Sequence, residues 1–230
     1  MKTIGLLGGM SWESTASYYK AINQGVKAQL GGLHSAKLAM LSVDFAEIEA
    51  LQQQGLWQQA GAELERAAQS VEAAGADFLM IGTNTMHKVA DQIAAAVSIP
   101  LLHIADATAE QLKADGIDTV GLLGTGFTMQ QDFYKGRLQD QHGIRVLIPG
   151  ETDQLTVHRI IYDELCQGQI HDSSRQQYLT IIDELSAQGA QAVILGCTEI
   201  PLLVRQSDTP VPVYDTTAIH AAAAVKMALS

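Results

Sequence analysis

The chain repeats itself. TIGLLGG, beginning at Thr3, returns as TVGLLGT at Thr119, and GADFLMIGTNT at Gly75 returns as GAQAVILGCTE at Gly189. SIPLLHIADAT at Ser98 is echoed more loosely by PVPVYDTTAI at Pro210. The offsets are 116, 114 and 112, a drift in one direction over half the chain. A single GLLG match is cheap, but three matches in the same order indicate an internal duplication. A chain of 230 residues built this way is constrained to two similar halves, each large enough to bury a core. No Pro/Ser-rich linker separates them, so they are expected to pack closely.

Within each half, short apolar runs rich in β-branched residues alternate with longer amphipathic or Ala-rich segments. Strands are expected at 3–7, 38–43, 78–81, 101–104, 119–123, 146–148, 192–195 and 211–214, with helical patterns at 13–30, 58–73, 129–141, 155–166 and 175–187. Apolar runs of this length separated by helices predict parallel strands covered on both faces, hence an α/β fold. The first half is expected over 1–103 and the second over 104–214, with the apolar terminal segment 215–230 packing back onto the first. Ligands in such sheets sit beyond the carboxyl ends of the strands.

The duplication maps Thr83 onto Cys197. Each follows an apolar strand and a glycine (FLMIG, AVILG) and precedes polar residues, Asn84-Thr85 in one case and Thr198-Glu199 in the other. Both therefore fall at a strand's carboxyl end, where turn and helix N–H groups are available to an anion. If the halves face each other, the two side chains approach one ligand from opposite sides. That arrangement suits inversion at a carbon.

Composition closes off other classes. A formal net charge of -11, with no run of Lys or Arg, argues against a nucleic-acid partner. The opening MKTIGLLGGMSWEST lacks the h-region of a signal peptide, and no later stretch could span a bilayer without charges, so a cytoplasmic, non-membrane protein is expected. Cys166 and Cys197 are the two cysteines, too few for a disulfide framework and without the CxxC or His spacing of zinc. Each is thus a buried apolar side chain or a reactive thiol.

GLLGGMSWEST, GTNTMHK and GCTEIP, in this order and over essentially the whole chain, resemble the aspartate/glutamate racemase family. Glutamate racemases typically read GCTHYP and open with a DSG segment. With Glu199 after GCT and GGMSWEST at the start, the chain is more similar to the aspartate racemase branch. The resemblance implies two pseudo-symmetric flavodoxin-like halves, each a parallel sheet flanked by helices, with the active site in the cleft between them. It also implies no cofactor (no pyridoxal phosphate, no metal), a homodimer, an amino-acid substrate, and a pair of cysteines as acid and base at Cα. Cys197 is then a catalytic residue, the one expected to meet the Cα proton of L substrates. Met10, Ser11, Asn84, Thr85, Thr125, Thr198 and Glu199 are expected to line the substrate.

The departures from the family matter as much. Its first motif usually reads CNT, whereas here Thr83 takes the catalytic position. A thiol lowered by a helix N-terminus is a reachable base near neutral pH; a threonine hydroxyl is not. The family's side-chain-binding cations are also replaced: EALQQQG leaves Gln52 as the nearest polar group, and IYDELCQG puts Cys166 at the Lys position. A looser side-chain specificity, reaching neutral amino acids, is expected. The alternatives are a single-cysteine enzyme of the superfamily acting on a small carboxylate (decarboxylase, isomerase or hydrolase) and a metabolite-binding protein with weakened catalysis. Among the other residues, Asp44 is expected to cap a helix, His87 to pack or hydrogen-bond near the first turn, and His103, His220 and Cys166 to be structural.

Overall fold

The computed structural model describes residues 1–230. They divide into two compact units, Met1–Ile104 with Thr217–Ser230, and Ala105–Thr216. The first unit runs β1 (Ile4–Gly8), α1 (Trp12–Leu30), β2 (Leu38–Ser42), α2 (Phe45–Gln53), α3 (Trp57–Ala73), β3 (Phe78–Ile81), a 3-10 turn (Thr85–Val89) and α4 (Ala90–Ala95). Its strands are all parallel, in the order β2-β1-β3. Side chains alternate across the sheet with the two-residue period of a strand. Ile4, Leu6, Phe78 and Met80 pack with Tyr18, Ile22 and Val26 of α1 and with Ala221, Ala224 and Val225 of the C-terminal helix. Leu7, Leu79 and Ile81 pack on the other face with Leu64, Ala68 and Val71 of α3. Coverage on both sides is why these strands read as continuous apolar runs.

The second unit contains α5 (Ile104–Ala114), β4 (Thr119–Gly124), α6 (Gly126–Gln130), α7 (Asp132–His142), β5 (Arg145–Leu147), α8 (Glu151–Asp163), a 3-10 turn (Leu165–Gln167), α9 (Asp172–Ala187), β6 (Ala192–Gly196), α10 (Ile200–Leu203), a second 3-10 turn (Gln206–Asp208) and β7 (Val213–Asp215). The chain then returns to the first unit through α11 (Thr216–Leu229). This sheet is also parallel, in the order β5-β4-β6-β7. Leu123, Val193 and Leu195 meet Val157, Ile160 and Ile161 of α8 and Ile181, Ile182 and Leu185 of α9 in one core. The expected α/β class, with two parallel sheets flanked by helices, is therefore observed.

The repeated segments occupy matching positions within their own sheets. β1 pairs Ile4 with Phe78 and Leu7 with Ile81, while β4 pairs Val120 with Ala192 and Leu123 with Leu195. Each second pair is the first displaced by the sequence offsets. The glycine after β3 and its counterpart after β6 serve the same close approach. A Cβ on Gly82 would lie 3.0 Å from the Leu7 carbonyl oxygen, and one on Gly196 would lie 2.8 Å from that of Leu123.

Three local expectations are corrected. Residues 101–104 make no strand, only the single bridge of Leu101 to Leu79, and Ile104 already opens α5. Pro100 can accept from Leu79 N–H but has no N–H to extend the ladder, and the Ile104 N–H is taken by His87 Nε2 at 3.2 Å. The single helix expected at 129–141 is two helices, broken where Gln131 adopts extended backbone (φ -92, ψ 154) and begins α7. No Pro or Gly marks that break, so apolar spacing runs through it. The pattern at 155–166 likewise belongs to α8, which starts at Glu151 and stops at Asp163, leaving Cys166 in the 3-10 turn.

His220 pins α11 to the first unit. Its Nε2 faces the Leu102 carbonyl at 2.9 Å and its Nδ1 faces Tyr18 Oη at 3.0 Å. A carbonyl only accepts, so Nε2 carries the proton and Nδ1 accepts from the tyrosine hydroxyl. Complete burial lowers the His220 pKa from 6.5 to about 4, against the opposing Leu102 bond. The unfolded chain therefore takes up this proton first as pH falls. The stability involved is fully present above pH 6.5 and is lost as pH drops toward 4, to the extent of about 3 kcal/mol. Chemical denaturation at pH 7.5 and at pH 4.5 should show that loss in the wild type and a smaller one in His220→Gln. Equal losses in the two proteins would contradict the burial of a neutral His220.

Candidate active site

The polar residues that the sequence singled out collect at strand ends within each unit. In the first unit β1 ends in Gly8-Gly9-Met10-Ser11. Gly9 has φ +92, and a Cβ there would fall 2.6 Å from the Val43 backbone nitrogen, so no other residue fits. The Gly9 N–H donates to Thr15 Oγ1 (2.7 Å), whose own hydroxyl donates to the Ser11 carbonyl (2.8 Å). Ser11 caps α1 by accepting from Ser14 N–H, and Met10 lies buried in the core. The loop is thereby tied to the first turn of α1.

The end of β3 supplies Thr83, Asn84 and Thr85, all buried. The Thr83 carbonyl accepts from His87 Nδ1 at 2.7 Å. Gln52 comes in from α2, where Asp44 is the N-cap and accepts from Ala46 N–H as expected. Gln52 is 3% exposed, its Nε2 donates to Met86 Sδ at 2.9 Å, and its Oε1 has no partner. A buried acceptor left unsatisfied costs about 1–3 kcal/mol, which a ligand donor would recover.

In the second unit Thr125 follows β4 and caps α6, accepting from Thr128 N–H. His158, on α8, accepts from the Gly126 N–H through Nδ1 at 3.0 Å and so lies against the same turn. Burial lowers the His158 pKa, against the charge of Asp163. Nothing in the sequence pattern singles out this histidine, because the contact spans 32 residues and no motif surrounds it.

Cys197, Thr198 and Glu199 follow β6, all buried. The Cys197 thiol donates to Glu199 Oε2 at 3.0 Å, and the Thr198 hydroxyl donates to the same oxygen at 2.8 Å. This reverses the expected electrostatics. α10 is only four residues long, and the carboxylate at its start outweighs any helix dipole. Burial, and then the negative charge of Glu199, push the Cys197 thiol well above its ordinary pKa. The resting group is a thiol with a carboxylate acceptor already in place. Cys166 is half-buried and packs against the same core. No three His, Cys, Asp or Glu side chains converge as a metal-ligand set, and no helix is long and apolar enough to cross a membrane.

The sequence profile of the family described as Asp/Glu/Hydantoin racemase matches residues 7–224. The chain belongs to that family. A Yersinia pestis protein solved as a candidate Asp/Glu racemase is 60% identical with a TM-score of 0.94, each chain covered completely. An aspartate racemase homologue from Pyrococcus horikoshii is 33% identical with a TM-score of 0.87, again over 100% of both chains. The broad specificity amino-acid racemase RacX of Bacillus subtilis is 27% identical over 163 residues, which is 71% of this chain and 70% of RacX.

The thiol chemistry can be checked without a substrate. Iodoacetamide should modify Cys197 slowly at neutral pH and faster as pH rises. Glu199→Gln removes the charge that raises the thiol pKa, so it should speed the neutral-pH reaction. Peptide mapping distinguishes Cys197 from Cys166, and an unchanged or slower Cys197 rate in the variant would show that the carboxylate does not govern the thiol.

Proposed function

We propose that this protein is a cofactor-independent amino-acid racemase that inverts Cα by proton transfer, with Cys197 and Thr83 serving opposite faces. The observation that carries the reading is the Cys197–Glu199 hydrogen bond at the carboxyl end of β6, in a chain of the racemase family. Glu199 Oε2 takes the thiol proton, and the thiolate so formed takes the Cα proton of the L substrate. The electron pair of the broken C–H bond moves into the α-carboxylate, and a proton delivered to the opposite face completes inversion. Backbone donors and hydroxyls at the strand ends, with Met10, Ser11, Asn84, Thr85, Thr125 and Thr198 as lining residues, hold the α-carboxylate as charge builds on it. No step calls on pyridoxal phosphate or a metal. Within this reading the protein acts in the cytoplasm as a homodimer on a free amino acid.

Thr83 makes the two faces unequal. Its hydroxyl is a reluctant donor and its alkoxide is strongly disfavoured, so the carbanion often regains its proton from Cys197. Solvent hydrogen exchange should then outrun inversion for L substrates, and D substrates should exchange slowly. Proton NMR in deuterated buffer reads both. Cys197→Ser should abolish L-side exchange while Cys166→Ala keeps it, and Thr83→Cys should raise D-side exchange by about 10²–10⁴-fold, the scale of a positioned acid or base. Equal exchange from both enantiomers in the wild type would defeat the asymmetry. Glu199→Gln should slow exchange despite a more acidic thiol, because the proton acceptor is gone; faster exchange at neutral pH would remove Glu199 from the relay.

Side-chain selectivity is looser than strict Asp/Glu recognition in this reading. Support comes from Gln52, a buried neutral amide with an open acceptor where the family resemblance leads to an Arg, and from the similarity to a broad-specificity racemase. A carboxylate buried without a cation is costly, by several kcal/mol before hydrogen bonding offsets it. Hydroxyl-bearing amino acids should therefore compete well with Asp and Glu in a substrate panel, and Gln52→Leu should reduce that advantage. Activity confined to dicarboxylates would refute this part of the proposal.

A further inference from the structure

The turn after β3 and the turn after β6 are held in different ways. After β6 the Cys197 carbonyl accepts from the Ile200 N–H in ordinary backbone fashion at 3.2 Å. After β3 the His87 N–H bonds the Asn84 carbonyl at 3.1 Å, and the Thr83 carbonyl accepts from the His87 ring instead, at 2.7 Å. The offset of 114 that relates Thr83 to Cys197 relates His87 to Pro201, which has no side-chain donor. The histidine device thus belongs to the Thr83 turn and is not repeated after β6.

The protonation state of the ring follows from its partners. The Thr83 carbonyl can only accept, so Nδ1 carries a proton. The Ile104 N–H, at the start of α5, can only donate, and it points to Nε2 at 3.2 Å, so Nε2 is bare. Turning the ring over would set an N–H against an N–H and a lone pair against a carbonyl. The ring is also confined, with its centroid 4.4 Å from that of His103 at an interplanar angle of 62° and 6.0 Å from that of His220. All three histidines are buried.

We infer that His87 is a positioning residue for Thr83: as a neutral imidazole fixed by Ile104 in its Nδ1–H tautomer, it clamps the Thr83 carbonyl and so sets the turn that carries the Thr83 hydroxyl. It contacts no reacting atom. Its contribution is to keep the hydroxyl in place while the Cys197 side works independently. The inference rests on the racemase reading above, in which Thr83 serves one face of Cα.

Two substitutions separate the bonds. His87→Gln keeps an acceptor near the Nε2 position for Ile104 but loses the donor to Thr83. His87→Asn keeps a donor near the Nδ1 position but loses the acceptor. The readout is the ratio of inversion to solvent exchange for an L substrate, measured by NMR in deuterated buffer with chiral analysis of the product. In His87→Gln the ratio should fall by about tenfold to a hundredfold, as expected for ångström-scale misplacement, while L-side exchange persists. His87→Asn should recover most of the ratio. Wild-type ratios in both variants, or exchange and inversion falling together in both, would overturn the inference. Thr83→Ala is the control on the premise. If it leaves the ratio unchanged, the Thr83 assignment itself fails; if it lowers the ratio and His87→Gln does not, only the positioning role fails. Nitrogen-15 shifts of the imidazole in the unmutated protein give an answer independent of any variant's folding: a bare Nε2 and a protonated Nδ1 at neutral pH are expected, and the other tautomer or an imidazolium would refute the clamp.

Discussion

A parallel strand covered on both faces has no room for a polar side chain along its length. Ile4, Leu6, Leu7, Phe78 and Ile81 in one sheet, and Val120, Leu122, Leu123 and Ile194 in the other, are buried, and each such side chain contributes about 1.5–3 kcal/mol on removal from water. Polar groups are therefore driven to where the strand stops and backbone groups are freed. Thr83 after β3, Cys197 after β6 and the Gly9–Ser11 loop after β1 all occupy such positions. The close approach at Gly82 and Gly196 belongs to the same constraint, since each admits a neighbouring strand's carbonyl where a side chain would block it.

Burial that stabilises the sheets also sets the chemistry of the groups at their ends. Cys197 is desolvated and faces a carboxylate, so its resting state is the neutral thiol, and a proton acceptor must be close for it to act as a base. His220 is desolvated and kept neutral by the same effect, and its two nitrogens are committed to Tyr18 and Leu102. Cys197 and His220 are thus both neutral and hydrogen-bonded, as the cost of an unpaired buried charge demands. At Cys197 that rule leaves a thiol and a carboxylate sharing one proton's worth of freedom.

The two sheets use one register but finish their turns differently. Glu199 bonds the thiol side chain after β6, whereas His87 bonds the main chain after β3. A side-chain bond tunes the reactivity of the group, and a main-chain bond fixes its place. Thr83 has little acidity to tune, so its placement is what the surrounding residues can control.

The α/β class and the parallel sheets were legible in the sequence because burial on both faces writes itself as apolar runs, and the repeated segments pair in the same register because pairing follows those runs. Strand ends bearing Thr83 and Cys197 were legible for the same reason. The missing strand at 101–104 and the break at Gln131 were not, since one depends on what Pro100 and the Ile104 N–H do with distant partners and the other breaks without Pro or Gly. The family resemblance pointed to Cys197 as a base, but the direction of its pKa was decided by the tertiary structure. Likewise the sequence contained His87 and His158 without showing that one clamps the Thr83 carbonyl and the other meets Gly126. Local pattern determines which residues are buried and where strands end, because those depend on side-chain period and polarity. Which polar groups then share a proton or a hydrogen bond depends on distances of about 3 Å between atoms, and only the folded chain sets those distances.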